Sequence, residues 1–140
     1  MTKSKTKILK TTSVIMVALT MIVFIVVAQN APWKAPEAAA KVKNPVVSDA
    51  ASLAAAKIIY TKQCGKCHGK KGMGDGPNAA TLDKPVDPLN NAATTAQTDG
   101  ELFWKISEGK KPMPSTKKSL SDEQRWQLVN YVRTFSSATK

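Results

Sequence analysis

Residues 64–68 read Cys64-Gly65-Lys66-Cys67-His68, and no other stretch restricts the chain so tightly, because two thiols and an imidazole must share one turn. Two residues between the cysteines give the sulfurs the reach of two vinyl groups on one porphyrin edge. The histidine that follows falls beneath the ring, where it can bind iron from one side. This is the pattern of covalent c-type haem attachment. Three other uses of the same residues are each short of something. A thioredoxin-like redox pair needs a β-strand running into the motif, and no β-branched run precedes it. A structural zinc site takes four ligands, whereas Cys64 and Cys67 are the only cysteines and His68 the only histidine. A disulfide between the two closes a loop too short to constrain much of the unfolded chain. The histidine directly after the second cysteine separates haem attachment from all three.

With the Gly69 that follows, this stretch resembles the attachment site of the class I cytochrome c family, in its bacterial monohaem form. The resemblance implies a small all-α fold around one covalent haem c, with thioethers at Cys64 and Cys67 and with His68 as an axial ligand of the iron.

Length and charge agree with that expectation without selecting it. The chain has 140 residues, room for one small domain once an apolar N-terminal stretch is set aside. Its aromatic residues are few, so a buried group of haem size would supply much of the apolar contact. Formal charge is +11, of which Lys3, Lys5, Lys7 and Lys10 supply four, leaving +7 on the rest. A basic surface of this kind suits redox partners with acidic docking surfaces, and no nucleic-acid partner is expected.

Those four lysines precede an apolar run over residues 14–28 in which Thr20 is the polar member. Charge followed by apolarity marks an export signal or a signal anchor, assigned here to residues 1–31. No charge occurs from Thr11 through Trp33, a length that crosses a bilayer, and Trp33-Lys34 suits the membrane interface. Val26-Val27-Ala28 also suits cleavage after Ala28. The sequence favours a retained transmembrane helix in the cytoplasmic membrane. The positive-inside rule then puts the haem domain on the periplasmic side, and cleavage would leave it soluble there. Residues 32–47, rich in Ala, Pro and Lys, read as an extended tether.

The domain is expected over 48–137. Ser48 can cap a first helix whose Leu53, Ala56 and Tyr60 share one face and which delivers the cysteine motif at its end. Tyr60 matches an aromatic position of the family, while Ala56 stands where many relatives have glycine. Gly69, Gly72, Gly74 and Gly76 then demand a tight loop. By the resemblance, Pro77 in that loop offers its carbonyl to His68. Residues 78–97 read as irregular with a short helical turn. Thr98 with Glu101 forms a capping box for a helix that Gly109 stops, and Ser121 with Gln124 forms another for a last helix carrying Leu128, Val132 and Phe135. In the family the last helix crosses the first.

The second axial position falls to a methionine by elimination, since His68 has no second histidine beside it. Met1, Met16 and Met21 lie in the leader, and Met73 is five residues after His68, a marginal reach. Met113, flanked by Pro112 and Pro114, is far enough along to arrive from the opposite face, and Pro-Met-Pro resembles the family's axial-methionine motif. A core role for Met113 and an open sixth site stay open at this stage. Lys62, Lys66, Lys70 and Lys71 crowd the cysteines, and Lys110, Lys111, Lys117 and Lys118 crowd Met113. The expected function is single-electron transfer in a bacterial respiratory chain, with no enzymatic step. The alternatives are a haem-bearing subunit of a larger respiratory complex and an open-site sensor or enzyme.

Overall fold

The computed structural model describes Met16 and residues 33–137. The chain divides into two compact units, Met1–Lys34 and Ala35–Lys140. The expected signal or membrane helix falls, Met16 apart, outside the described residues. Among the described residues no helix is long and apolar enough to cross a membrane.

The second unit starts earlier than the sequence suggests. A single helical turn, α1 (Glu37–Ala40), follows Pro36, and Pro at the residue before a helix suits its fixed φ. Ala39 is buried, and the segment lies so close to Gly100 that a Cβ there would meet the Ala39 carbonyl oxygen at 2.0 Å and that of Val42 at 2.6 Å. Further along, Asn44 donates to Asn130 Oδ1 at 2.8 Å and to the Trp126 carbonyl. Asn130 in turn donates to the Val46 carbonyl at 3.0 Å. Residues 35–47 are therefore a strap laid on the domain rather than the extended tether that Ala, Pro and Lys predicted. Composition describes local stiffness, and these contacts are made with residues far along the chain.

Asp49, one residue beyond the expected Ser48, caps the next helix, α2 (Ala50–Ile59), by accepting from the Ser52 amide at 2.7 Å. Both residue types cap well, and the sequence alone does not rank adjacent candidates. From Tyr60 to Cys64 the path widens into a π-helical turn, and a further turn, α3 (Gly65–His68), completes the motif. Shorter pieces follow: a 3₁₀ turn at Ala79–Thr81 and α4 (Ala92–Thr95), capped by Asn91.

Two capped helices close the fold. In α5 (Asp99–Glu108) the Thr98 hydroxyl accepts from the Glu101 amide and the Glu101 carboxylate accepts from the Thr98 amide, the expected capping box. Gly109, at φ 66°, ends it. Before α6 (Asp122–Ser137), Ser121 and Gln124 make the same reciprocal pair at 2.9 and 3.2 Å. α6 packs on α2, and its Leu128, fully buried, clusters with Tyr60 and Leu120. Side chains of this size each contribute about 1.5–3 kcal/mol when removed from water. Ala56 is wholly enclosed at 0% exposure, so its methyl is accommodated at the position where, by the resemblance, many relatives have glycine. A second cluster, Leu102, Trp126, Val129 and Val132, joins the first through Leu89 and Ile106. The described residues hold helices and turns without strands, apart from an isolated antiparallel bridge between Lys110 and Met113. This is the small all-α, cytochrome c-like domain that the resemblance implied.

Candidate functional site

Tyr60 clasps the cysteine motif at both ends. Its carbonyl accepts from the Gly65 amide in the π turn, and its hydroxyl, buried, donates to the Gly69 carbonyl at 2.8 Å. Widened turns of this kind recur at functional sites because they redirect side chains that a regular helix would stagger. Cys64 closes the π turn, while Cys67 and His68 occupy α3.

The C-terminal carbonyls of a helix need donors from outside it, and the glycine-rich loop supplies them. Asn78, Gly76 and Gly74 donate their amides to the carbonyls of Lys66, Cys67 and His68 at 2.8, 3.1 and 2.9 Å. Such an approach leaves no room for side chains. A Cβ on Gly76 would sit 2.4 Å from the Lys66 oxygen, and one on Gly74, at φ 78°, would sit 2.2 Å from the Val86 oxygen. The loop thus folds tightly under the motif's own backbone, fixing the direction of Cys67 and His68.

Both cysteines are free and half-buried. Burial, and then the neighbouring Cys67, push the Cys64 thiol up to about 11. A thiol in that range is protonated at neutral pH, the opposite of what a redox-exchanging pair requires. Burial lowers the basicity of His68, against a smaller opposing pull from the Asp87 carboxylate. Its Nδ1 is buried without a hydrogen-bond partner. The bond anticipated from His68 to the Pro77 carbonyl is therefore not made. Pro77 is exposed, between two residues whose amides are drawn to Cys67 and Lys66. Among the described residues no group of three or more His, Cys, Asp and Glu side chains is arranged to hold a metal ion, so the three motif side chains do not converge as a tetrahedral ion demands. Two unpaired thiols and a half-buried imidazole of lowered basicity with an orphan nitrogen fit thioether attachment and axial ligation.

The two methionine candidates part company. Met73 is 50% exposed, and its sulfur accepts from Asn90 Nδ2 at 3.2 Å. Met113 is half-buried on the loop after α5, with its amide donating to the Lys110 carbonyl at 2.9 Å. That loop is braced by residues that belong to no sequence motif. Thr116 donates through its amide to the Ser107 carbonyl at 3.1 Å and through its hydroxyl to that of Ile106 at 2.7 Å. Ser115 donates to the Ser107 carbonyl as well, at 2.6 Å. The lysines around the motif and around Met113 are exposed, and Lys117 pairs with Glu108.

Comparison with known proteins bears on the same region. Residues 51–132, more than half of the chain, match the family model described as cytochrome C oxidase, cbb3-type, subunit III. A solved chain from the reducing HAO-like protein complex of Kuenenia stuttgartiensis is similar at 31% identity and a TM-score of 0.57, over 65% of this chain and 46% of that one. This chain thus spans less than half the length of that relative. No curated protein matches. The matched region contains Cys64, Cys67 and His68 together with the glycine loop and the Met113 loop, and a domain of this kind serves haem-mediated electron transfer. The chain belongs to the c-type cytochrome family so described, and its cofactor is a covalently bound c-type haem.

Proposed function

We propose that this protein carries single electrons in a bacterial respiratory chain, with thioethers at Cys64 and Cys67 and with His68 and Met113 as the axial ligands. The observation that carries the reading is the contrast between the methionines: Met113 sits on a loop hydrogen-bonded to the end of α5, whereas Met73 is turned out to Asn90. Haem supplies a one-electron ferric–ferrous couple when bound. Around it the chain's own residues supply fixed geometry. The glycine loop holds the backbone of Cys67 and His68, and a neutral sulfur at Met113 suits both oxidation states, so little rearranges and the potential is raised. No side chain is assigned acid–base work, and the protein is not an enzyme. The leader anchors it to the cytoplasmic membrane with the haem domain outside, and exposed lysines on the motif and on the Met113 loop meet an acidic redox partner.

A second reading makes the chain one subunit of a larger respiratory assembly, and it is favoured by the family description, which names an oxidase subunit, and by the similar chain's place in a complex. Met113→Ala separates ligand from bystander. It is expected to abolish the sulfur-to-iron absorption band, lower the potential and admit carbon monoxide to the reduced iron, while Met73→Ala does none of these. Tight carbon monoxide binding by the unmutated protein would instead support an open-site sensor or enzyme.

A further inference from the structure

Arg125 is a buried arginine on α6, 7% exposed, and removing a guanidinium from water is costly unless its donors are used. Its Nη2 pairs with Asp122, but that carboxylate is 80% exposed, and a pair open to solvent contributes little. The remaining contacts point inward. Nη1 donates to Ser107 Oγ, Nε reaches the Ser121 carbonyl at 3.4 Å, and the guanidinium carbon lies 4.9 Å from the centre of the Phe103 ring. Phe103 is itself stacked on Trp126 at 3.9 Å. Ser107 Oγ passes its own hydrogen back to the Phe103 carbonyl at 2.7 Å.

Ser107 is thus held from α6 on its side-chain face, and its carbonyl is where the Met113 loop returns. Ser115 and Thr116, two and three residues after Met113, both donate to that carbonyl, and the Thr116 hydroxyl takes the carbonyl of Ile106. On the other side of Met113, a Cβ on Gly109 would lie 2.6 Å from the Pro114 oxygen, so the loop's two limbs are pressed together. The path runs from Arg125 to Ser107 to Ser115 and Thr116 to Met113 without a gap. The ring stack and the packing of the guanidinium on Phe103 would hold α6 to α5 whether or not the loop were present; the Ser107 contact is the one that reaches it.

We infer that Arg125 is a positioning residue for the axial methionine, holding the Met113 loop closed through Ser107. The inference rests on Met113 being the ligand. Without the Arg125 contact, the last turn of α5 loses its side-chain hydrogen bond to α6, the loop opens more often, and Met113 is held in its ligating position for a smaller fraction of the time. Loss of one hydrogen bond to a charged donor should raise the open population roughly tenfold.

The test uses the haem-loaded full chain. Arg125→Met replaces the buried ion with an apolar side chain of similar length and strands no buried charge, since Asp122 is 80% exposed, and Arg125→Lys restores a donor to Ser107. In Arg125→Met the association rate of carbon monoxide with the reduced protein should rise about tenfold, the sulfur-to-iron band should weaken and the potential should fall. Arg125→Lys should recover part of each, and the melting temperature should not follow the same order. Ser107→Ala, which removes the acceptor of the Arg125 bond without touching a charge, should act in the same direction. It carries the test if Arg125→Met fails to fold. Met113→Ala in parallel reads the premise. If it leaves the band in place, Met113 is not the ligand and the inference falls with it. If Met113→Ala abolishes the band while Arg125→Met, or Ser107→Ala in its place, keeps the band, potential and carbon monoxide rate of the unmutated protein, the ligand stands and the positioning role is refuted.

Discussion

The hydroxyl of Tyr60 donates to the Gly69 carbonyl at 2.8 Å across the turn that carries Cys64, Cys67 and His68. Its ring stands 5.1 Å from that of Tyr131 and 5.2 Å from that of Phe135. One side chain therefore couples the helix crossing to the attachment motif. Tyr60→Phe keeps the ring cluster and strips the buried carbonyl of its donor, which should cost about 1–3 kcal/mol. Urea unfolding of the haem-loaded protein measures it, with haem attachment retained. An unchanged midpoint would mean that the bond contributes nothing.

The same hydroxyl sets a pH dependence. Burial, then the charges of Cys64, Tyr131 and Asp75, raise its pKa well above the ordinary tyrosine value of 10.0. The folded state keeps a proton that the unfolded state gives up. The stability this provides is complete below pH 10 and is lost as pH rises through the folded value. Unfolding free energy should fall above about pH 10, and Tyr60→Phe should flatten the fall. Equal slopes in the two proteins would assign the alkaline loss to other groups.

Two glycines of the motif region should respond in opposite ways. Gly65→Ala places its methyl 3.5 Å from the Tyr60 oxygen, an ordinary contact, whereas Gly76→Ala would drive one to 2.4 Å from the Lys66 oxygen. Overpacking of that kind costs about 1–3 kcal/mol. The yield of haem-loaded protein and its urea midpoint should drop for Gly76→Ala and stay near the unmutated values for Gly65→Ala. A tolerated Gly76→Ala would show that the loop does not press on the motif as described.

Much of this was legible in the sequence, wherever the determining residues are neighbours. Cys64, Cys67 and His68 announce the attachment chemistry within five positions. Thr98 with Glu101 and Ser121 with Gln124 mark helix starts within four, and Gly109 marks a stop because its backbone takes φ 66°. Features set by distant partners were not legible. Asn44 and Asn130 meet from 86 residues apart, which turned a supposed tether into a strap, and Ser107 meets Arg125 from 18 apart. The role foreseen for Pro77 was a family habit that this chain's loop does not follow. Its carbonyl is not the partner of His68 Nδ1, which has none.

The strap makes its own prediction. Asn44→Ala removes the bonds to Asn130, to the Trp126 carbonyl and to the Val46 amide, a loss of about 1–2 kcal/mol. Amide hydrogen exchange over residues 35–47 should quicken more than exchange in α2 or α6. Uniform quickening across the domain would show that the strap is inseparable from the core.

Lys66, Lys70, Lys110 and Lys111 are exposed on the attachment motif and the Met113 loop. Reversing two of them to glutamate should slow association with an acidic redox partner at low salt and flatten the dependence on ionic strength. Reversing Lys41 and Lys43 on the strap is the control, and equal slowing by both pairs would leave only a net-charge effect.

Covalent attachment of haem at Cys64 and Cys67 is the claim on which the rest depends. Denaturing electrophoresis of the full chain from cells that mature c-type haem, followed by haem-peroxidase staining, tests it directly. The stain is expected to stay with the polypeptide after acid-acetone extraction and to disappear when both cysteines are replaced by alanine. Extraction of all the haem from the unmutated chain would contradict it.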